Sequence, residues 1–250
     1  MSPELAPSLR RALAARTRAH LADVAWPPNL RLVVLAPHPD DFDAIAVTLR
    51  FFKLRGDEIN LGVVMLSPRG VEDSFCCPPT SELKSAIRER EQRDSCGAFG
   101  LPEDHVTFLR VTEDADGNPI DDEENYGKVK AYLAKLRPDL VLLPHGNDPN
   151  AGHRFTFTML ERFVGSHDSP TAALLNRDAK TIAMRVDLRM GFDQQLANWK
   201  GGLLRCHTSQ QVRNLNVRGC GFDERVLRVN REAASAETPY AEEFEVWFPR

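Results

Sequence analysis

The sequence lacks the short patterns that identify several common classes of protein. Its five cysteines, Cys76, Cys77, Cys96, Cys206 and Cys220, contain no CxxC pair and are odd in number, which argues against a zinc ribbon and a closed disulfide framework. No stretch approaches the roughly 20 apolar residues of a membrane span. Arginines interrupt the only apolar segment near the N-terminus, so no signal peptide is predicted. We therefore expect a cytoplasmic protein with no membrane association.

An excess of basic residues is also missing. Lysine and arginine total 32 against 36 aspartates and glutamates, for a net charge of -4, whereas a nucleic-acid module usually carries a basic excess. No GxGxxG follows the first apolar run, and GxxxxGK[ST] occurs nowhere, so the phosphate-binding loops of nucleotide proteins are absent. These absences favour a small-molecule ligand and no nucleic-acid partner.

What the sequence does contain is an alternation of apolar runs and helical segments. Because the apolar runs lack period-two alternation, they are typical of strands covered on both faces. The order β-α-β-α-β-α-β predicts an α/β fold, a Rossmann-like doubly wound and mostly parallel sheet with flanking helices. The predicted strands are 30–36, 59–66, 105–111 and 139–144, and the predicted helices are 42–55, 81–99 and 122–136.

The flanking regions are expected to belong to the same domain. We predict a single domain over 1–250, with a helical extension in 1–28 whose helix covers 8–22 and lies on the surface. The C-terminal quarter is expected to contribute to a cleft or a lid. Further predictions are a strand at 181–188, a helix at 192–211 and a late edge strand at 243–248.

The segment Pro-His-Pro-Asp-Asp, at 37–41, directly follows the first predicted strand. Ligands of parallel α/β sheets bind at the carboxyl ends of the strands, which gives this position functional weight. His38 and Asp41 are three residues apart in a turn and could contact one metal ion, and zinc accepts such a nitrogen and oxygen pair. A loop hydrogen bond or a capped helix is the structural alternative for a lone pair of this kind.

A catalytic zinc needs a third protein ligand and an open position. The fourth predicted strand runs into PHGNDPNAGHRF, where His145 follows the strand and His153 lies near the start of the next helix. Both histidines are at the same end of the sheet as His38. The residues alone leave the choice between them open.

Several segments together resemble the PIG-L/LmbE-like family of zinc-dependent N-deacetylases. The family's opening Ala-His-Pro-Asp-Asp-Glu is similar to 37–42, and its last metal-ligand segment is similar to DPNAGHR. Because the motifs also occur in the family's order, the resemblance covers most of the chain. The other matching segments are IREREQRDSCGAFGLP (87–102), LVLLP (140–144), WKGGLLRCHTSQ (199–210) and PYAEEFE (239–245).

The resemblance implies a zinc-dependent amidohydrolase that deacetylates an N-acetylglucosamine-type amino sugar or its conjugate. It implies His38, Asp41 and His153 as metal ligands and Asp40 as the general base. It also implies that Arg88 contacts the substrate, although a surface ion pair with Glu91 would be the structural alternative. Iron, cobalt or manganese would also suit a His-Asp-His set.

Two residues depart from the family pattern. Phe42 replaces a glutamate, whose hydrogen bond is then absent or supplied by another group such as Asp43. Asn150 replaces a histidine and can donate a hydrogen bond to an oxyanion but cannot carry a proton. His145 is the neighbouring residue that could take over that role. These departures keep two alternatives open, a hydrolase for another N-acyl substrate and a catalytically reduced member that binds metal or ligand.

The expected partner is a small N-acyl amino sugar. The exact substrate and the oligomeric state, a homo-oligomer included, do not follow from the sequence. His207 and Gln210 are interpreted as structural supports near the site.

Overall fold

The computed structural model of the chain describes residues 2–15, 18–166 and 171–249. Its centre is an eight-stranded sheet in the order β1-β7-β8-β6-β5-β2-β3-β4. The strands are β1 Ala19–His20, β2 Arg31–Ala36, β3 Glu58–Val63, β4 Val106–Phe108, β5 Leu140–Pro144, β6 Ala172–Asn176, β7 Leu188–Phe192 and β8 Tyr240–Trp247. The helices are α1 Leu5–Ala15, α2 Ala46–Leu54, α3 Ser81–Phe99, α4 Glu123–Leu136, α5 Ala151–Ser166, α6 Gln194–Arg205, α7 Thr208–Arg218 and α8 Phe222–Glu232.

The sheet is mostly parallel, as predicted. Among the described strands, only β8 runs against its neighbours, pairing antiparallel with β6 and β7. Alternate residues of β2 enter different core clusters, with Leu32 and Val34 on one face and Val33 and Leu35 on the other. Because both faces are covered by helices, the strand has no polar side, which explains the continuous apolar run in the sequence.

The helix at 81–99 and the four central strands are confirmed, although β4 covers only Val106–Phe108 of the predicted 105–111. Thr80 caps α3 by accepting a hydrogen bond from the N–H of Leu83, and Gly100 ends it with φ of 79°. A left-handed residue at this position favours glycine. The helix therefore begins and ends where the sequence indicates.

Four other predictions were wrong in position or extent. The N-terminal helix covers Leu5–Ala15 rather than 8–22, and its Leu5 and Leu9 are buried in the core instead of lying on the surface. Residues 181–187 are not a strand: Ile182 is 70% exposed, and pairing with the sheet begins only at Leu188. The other two corrections concern 192–211, which forms two helices rather than one, and the strand near 243–248, which lies between β6 and β7 rather than at an edge.

All five cysteines are free thiols. None of the described helices is both long and apolar enough to cross a membrane.

Candidate metal centre and active site

The topology brings two loops to one point at the carboxyl end of the sheet. From β2 the chain adds β3 and β4 on one side, then returns to pair β5 with β2 on the other. The loop after β2 and the loop after β5 therefore leave the sheet in opposite directions beside each other. Such a switch point is where ligands bind in open α/β sheets.

The loop after β2 places His38 against Asp41. The Oδ2 atom of Asp41 accepts a hydrogen bond from the backbone N–H of His38 at 2.9 Å and lies 3.1 Å from its Nδ1. Burial would raise the pKa of Asp41, but the charge of His153 and the hydrogen bonds from His38 outweigh it and lower the pKa. The carboxylate is thus kept ionised, as a metal ligand must be.

His153 comes from the first turn of α5 and is 2% exposed. Its Nδ1 is 3.1 Å from Oδ2 of Asp148, and its Nε2 is 3.7 Å from Oδ1 of Asp41. Burial opposes protonation, yet the two carboxylates raise the pKa of His153 to about 9. A carboxylate on the far nitrogen of an imidazole is the usual arrangement behind a metal-binding histidine.

The donor atoms of His38, Asp41 and His153 all lie within 4.8 Å of one another. Two imidazoles and one carboxylate form a set that suits zinc and other divalent metals. The close approach depends on Gly152, because a Cβ there would lie 2.7 Å from Nε2 of His38. The residues that the sequence nominated as ligands therefore fit a divalent metal ion.

Asp40 lies next to these donors in a strained turn with φ of 125°. Arg88 donates to its Oδ2 at 3.0 Å, and the Asp40 N–H donates to Oε1 of Gln92 at 2.9 Å. Burial raises the pKa of Asp40 to about 6, although the charge of Arg88 opposes the shift. A carboxyl group with a raised pKa, next to the metal donors, is suited to general acid-base chemistry.

The inner face of α3 is polar and holds this turn in place. Arg88 is 3% exposed and also donates to the carbonyl of Pro39 at 2.6 Å. Glu91 accepts from the N–H and the hydroxyl of Ser209, both at 2.7 Å. The alternative of a surface Arg88–Glu91 pair is wrong, because both residues are buried and bind different groups.

At the position where the family has a glutamate, this chain has Phe42 and therefore no carboxylate. Phe42 is fully buried and packs edge-to-face on Phe99, with ring centroids 5.1 Å apart. The next residue, Asp43, is buried instead against Nε2 of His207 at 2.7 Å and the hydroxyl of Ser95 at 2.6 Å. Burial opposes protonation of His207, but its hydrogen bond to Asp43 raises its pKa.

The structure separates the two candidates for the oxyanion side. Asn150 lines the cleft, and its carboxamide oxygen accepts the N–H of Gly152 at 2.9 Å. His145 is not among the cleft-lining residues; its Nε2 lies 3.4 Å from Glu245, and its Nδ1 accepts the N–H of Asn147. Geometry therefore brings Asn150, but not His145, to the other candidate residues.

A cleft of about 380 Å³ opens over these groups. Sequence reasoning missed two acidic residues that line it, Asp178 from the segment after β6 and Glu113 from the loop after β4. Glu113 accepts the N–H of Ser67 at 3.0 Å, while its Oε1 is buried without a hydrogen-bond partner in the described chain. The sequence does not indicate that Glu113 lines the cleft, because Glu113 lies in an acidic stretch, 112–125, that is typical of a solvated loop.

The contact between Asp148 and His153 gives a direct prediction. Asp148→Asn removes the charge behind the imidazole but keeps the shape, so we expect zinc affinity to fall by about 10- to 100-fold. Competition with a chromophoric chelator measures this affinity. Asp116→Asn, an exposed loop carboxylate, is the control and should leave the affinity unchanged. Equal affinities for the two variants would contradict the proposed role of Asp148.

Comparison with known proteins covers both the sequence and the fold. The family model described as PIG-L, GlcNAc-PI de-N-acetylase, matches residues 33–164, just over half of the chain. No curated protein sequence matches the chain significantly.

Solved structures share the fold over most of the chain. The N,N'-diacetylchitobiose deacetylase of Pyrococcus horikoshii superposes with a TM-score of 0.73 at 17% identity, covering 96% of this chain and 90% of that one. A 4-carboxy-2-hydroxymuconate hydratase from Pseudomonas putida gives 0.69 at 17%, covering 88% and 96%. A deacetylase of teicoplanin biosynthesis gives 0.67 at 15%, covering 87% and 96%. At these identities the likeness concerns the fold, which these proteins use for more than one reaction.

Proposed function

The chain belongs to the PIG-L family, the GlcNAc-PI de-N-acetylases, and from this premise we propose that it is a zinc-dependent amidohydrolase that removes the acetyl group from an N-acetylglucosamine-type amino sugar or conjugate. The observation that carries the proposal is the convergence of His38, Asp41 and His153 beside the buried carboxyl group of Asp40. A metal-binding set next to an acid-base residue is what amide hydrolysis requires.

In the proposed reaction, the residues of the loops after β2 and β5 have different roles. His38, Asp41 and His153 would hold zinc, which would supply the Lewis acidity to polarise an amide carbonyl and to acidify water. Asp40 takes a proton from the attacking water and returns it to the amine nitrogen as the C–N bond breaks. Asn150, whose carboxamide oxygen is used by Gly152, has its NH2 group left to donate to the developing oxyanion.

Substrate binding is assigned to Arg88 and Glu113. Both line the cleft, and the Nε of Arg88 and the Oε1 of Glu113 are buried without hydrogen-bond partners among the described residues. A buried polar atom without a partner is costly, so a ligand that supplies one gains affinity. Sugar hydroxyls both donate and accept, and they suit this pair.

The test is acetate release from a panel of N-acetylglucosamine glycosides. We expect turnover that a chelator abolishes and that added zinc restores. Analogues with propionyl or longer acyl groups test the alternative of a different N-acyl substrate. Protein that holds zinc in equimolar amount but releases no carboxylic acid from any of these amides would reject the amidohydrolase proposal.

A second candidate is hydration of an unsaturated carboxylate. Six arginines and one lysine line the cleft among the described residues, and they suit a substrate with several carboxylates. A hydratase also shares the fold. The same carboxyl group of Asp40 would then move a proton between water and a carbon atom. Loss of diene absorbance on adding the protein to an unsaturated dicarboxylate would favour this candidate over the first.

A further inference from the structure

The walls of the cleft carry positive charge although the whole chain has a net charge of -4. Besides Arg88, six basic side chains among the described residues line the cleft. Apart from Asp40 and Asp41, the acidic lining residues are Glu113 and Asp178. The six basic residues are Arg69, Arg177, Lys180, Arg213, Arg218 and Arg225. A cleft lined by one sign of charge concentrates ligands of the opposite sign.

Half of these cations already have a carboxylate partner in the protein. The pairs are Arg177 with Glu243 at 3.0 Å, Arg69 with Asp116 at 3.7 Å and Arg225 with Asp178 at 3.8 Å. Arg213 and Arg218 on α7, and Lys180 in the segment after β6, line the same cleft and form no ion pair with the described residues. Three of the cations that line the cleft are therefore free to meet an anion.

The surroundings of Arg213 make this side of the cleft especially favourable for an anion. Partial burial and the positive charges of Arg88 and Arg218 lower the pKa of Arg213, while the negative charges of Glu72 and Asp40 act in the opposite sense. Arg213 is thus within electrostatic reach of the reaction centre. A cation next to other cations is stabilised when an anion enters between them.

We infer that the substrate carries an acidic group, a carboxylate or a phosphate, on the part of the molecule that faces α7, where Arg213 and Arg218 bind it together with Lys180. The inference depends on the proposed deacetylase function for the identity of the scissile amide. The acidic group is recognised by charge at the cleft wall and takes no part in bond breaking.

Two glycosides that differ only in charge test this inference. The carboxymethyl and 2-hydroxyethyl glycosides of N-acetylglucosamine are compared by kcat/KM and, independently of turnover, by calorimetric binding. We expect the carboxymethyl glycoside to be preferred by about three- to tenfold at low ionic strength, the size expected for exposed ion pairs. The preference should shrink at high salt, because salt screens exposed charges. N-acetylglucosamine 1-phosphate is the third probe and distinguishes phosphate from carboxylate.

The variants separate the cleft cations from the general charge of the surface. The double variant Arg213→Gln, Arg218→Gln should bring the ratio between the charged and neutral glycosides close to one, and Lys180→Gln should lower it in part. Arg228→Gln, on α8 and away from the cleft lining, is the matched control and should keep the wild-type ratio.

The outcomes distinguish this inference from the proposed function. If charge-dependent binding disappears in the double variant but no amide is hydrolysed, the acidic-substrate inference stands and the deacetylase proposal fails. If both glycosides are deacetylated and bound equally, with no effect of salt or of the double variant, the acidic-substrate inference is wrong while the deacetylase stands.

Discussion

Asp40→Asn is expected to lower kcat for amide hydrolysis by about 10²- to 10⁴-fold, the usual contribution of a general acid-base group. Asparagine keeps the size of the side chain, tolerates the positive φ of this turn and still offers an oxygen to Arg88. The local structure should therefore survive while the proton acceptor is lost. The measurement is acetate release under saturating substrate, with metal content determined on the same sample.

The Asp40→Asn experiment needs a control variant and a check that the metal site is intact. Asp116→Asn, on an exposed loop, is the control for loss of a negative charge and should keep full activity. Unchanged zinc in the Asp40 variant shows that the ligands are intact. Turnover by that variant at the wild-type rate would exclude Asp40 as the general base. Another carboxylate of the cleft would then have to accept the proton.

His153→Ala is expected to remove bound zinc and, with it, all metal-dependent activity. The change deletes one of the three proposed protein ligands and leaves the buried Asp148 and Asp41 facing an empty space. Metal content by plasma mass spectrometry, on protein purified without chelator or nickel affinity, measures the effect. We expect equimolar zinc in the wild type and almost none in the variant.

His145→Ala is the matched control, because His145 follows the same strand and the sequence alone could not separate the two histidines. Its ring lies near Glu245 and outside the cleft lining, so the variant should retain zinc. Zinc loss in His145→Ala with retention in His153→Ala would reverse the ligand assignment. Calorimetric melting of both variants shows whether either change unfolds the chain.

The sequence predicts the central part of the fold well because its signals there are local. The apolar runs of β2 and β5 and the Thr80 and Gly100 caps of α3 each depend on neighbouring residues. The position of β8 inside the sheet depends on pairings with β6 and β7, which lie far earlier in the chain. Such non-local pairings leave no mark in the periodicity, so β8 was assigned to an edge.

The metal-binding set could be nominated from the sequence for a similar reason. His38 and Asp41 are close in the chain, and strand-end positions place His153 on the same rim. The supports could not be foreseen. The Asp43–His207 contact joins residues 164 positions apart in the chain. From the sequence, Phe42 could be recognised only as a residue that replaces the family's glutamate. In the structure Phe42 is fully buried, and Asp43 provides a buried carboxylate one residue later.

The polar inner face of α3 affects how this protein can change its substrate over evolution. Arg88, Glu91, Gln92 and Ser95 follow helical spacing, yet all are buried. Three of them bind the turn after β2, at Asp40 or Asp43, and Glu91 binds Ser209 at the start of α7. A substitution there disturbs folding and the site together, so this helix gives little room for a new specificity. The exposed cations of α7 have no such ties. Selection can therefore alter which molecules the cleft admits while the reaction machinery beneath it stays the same.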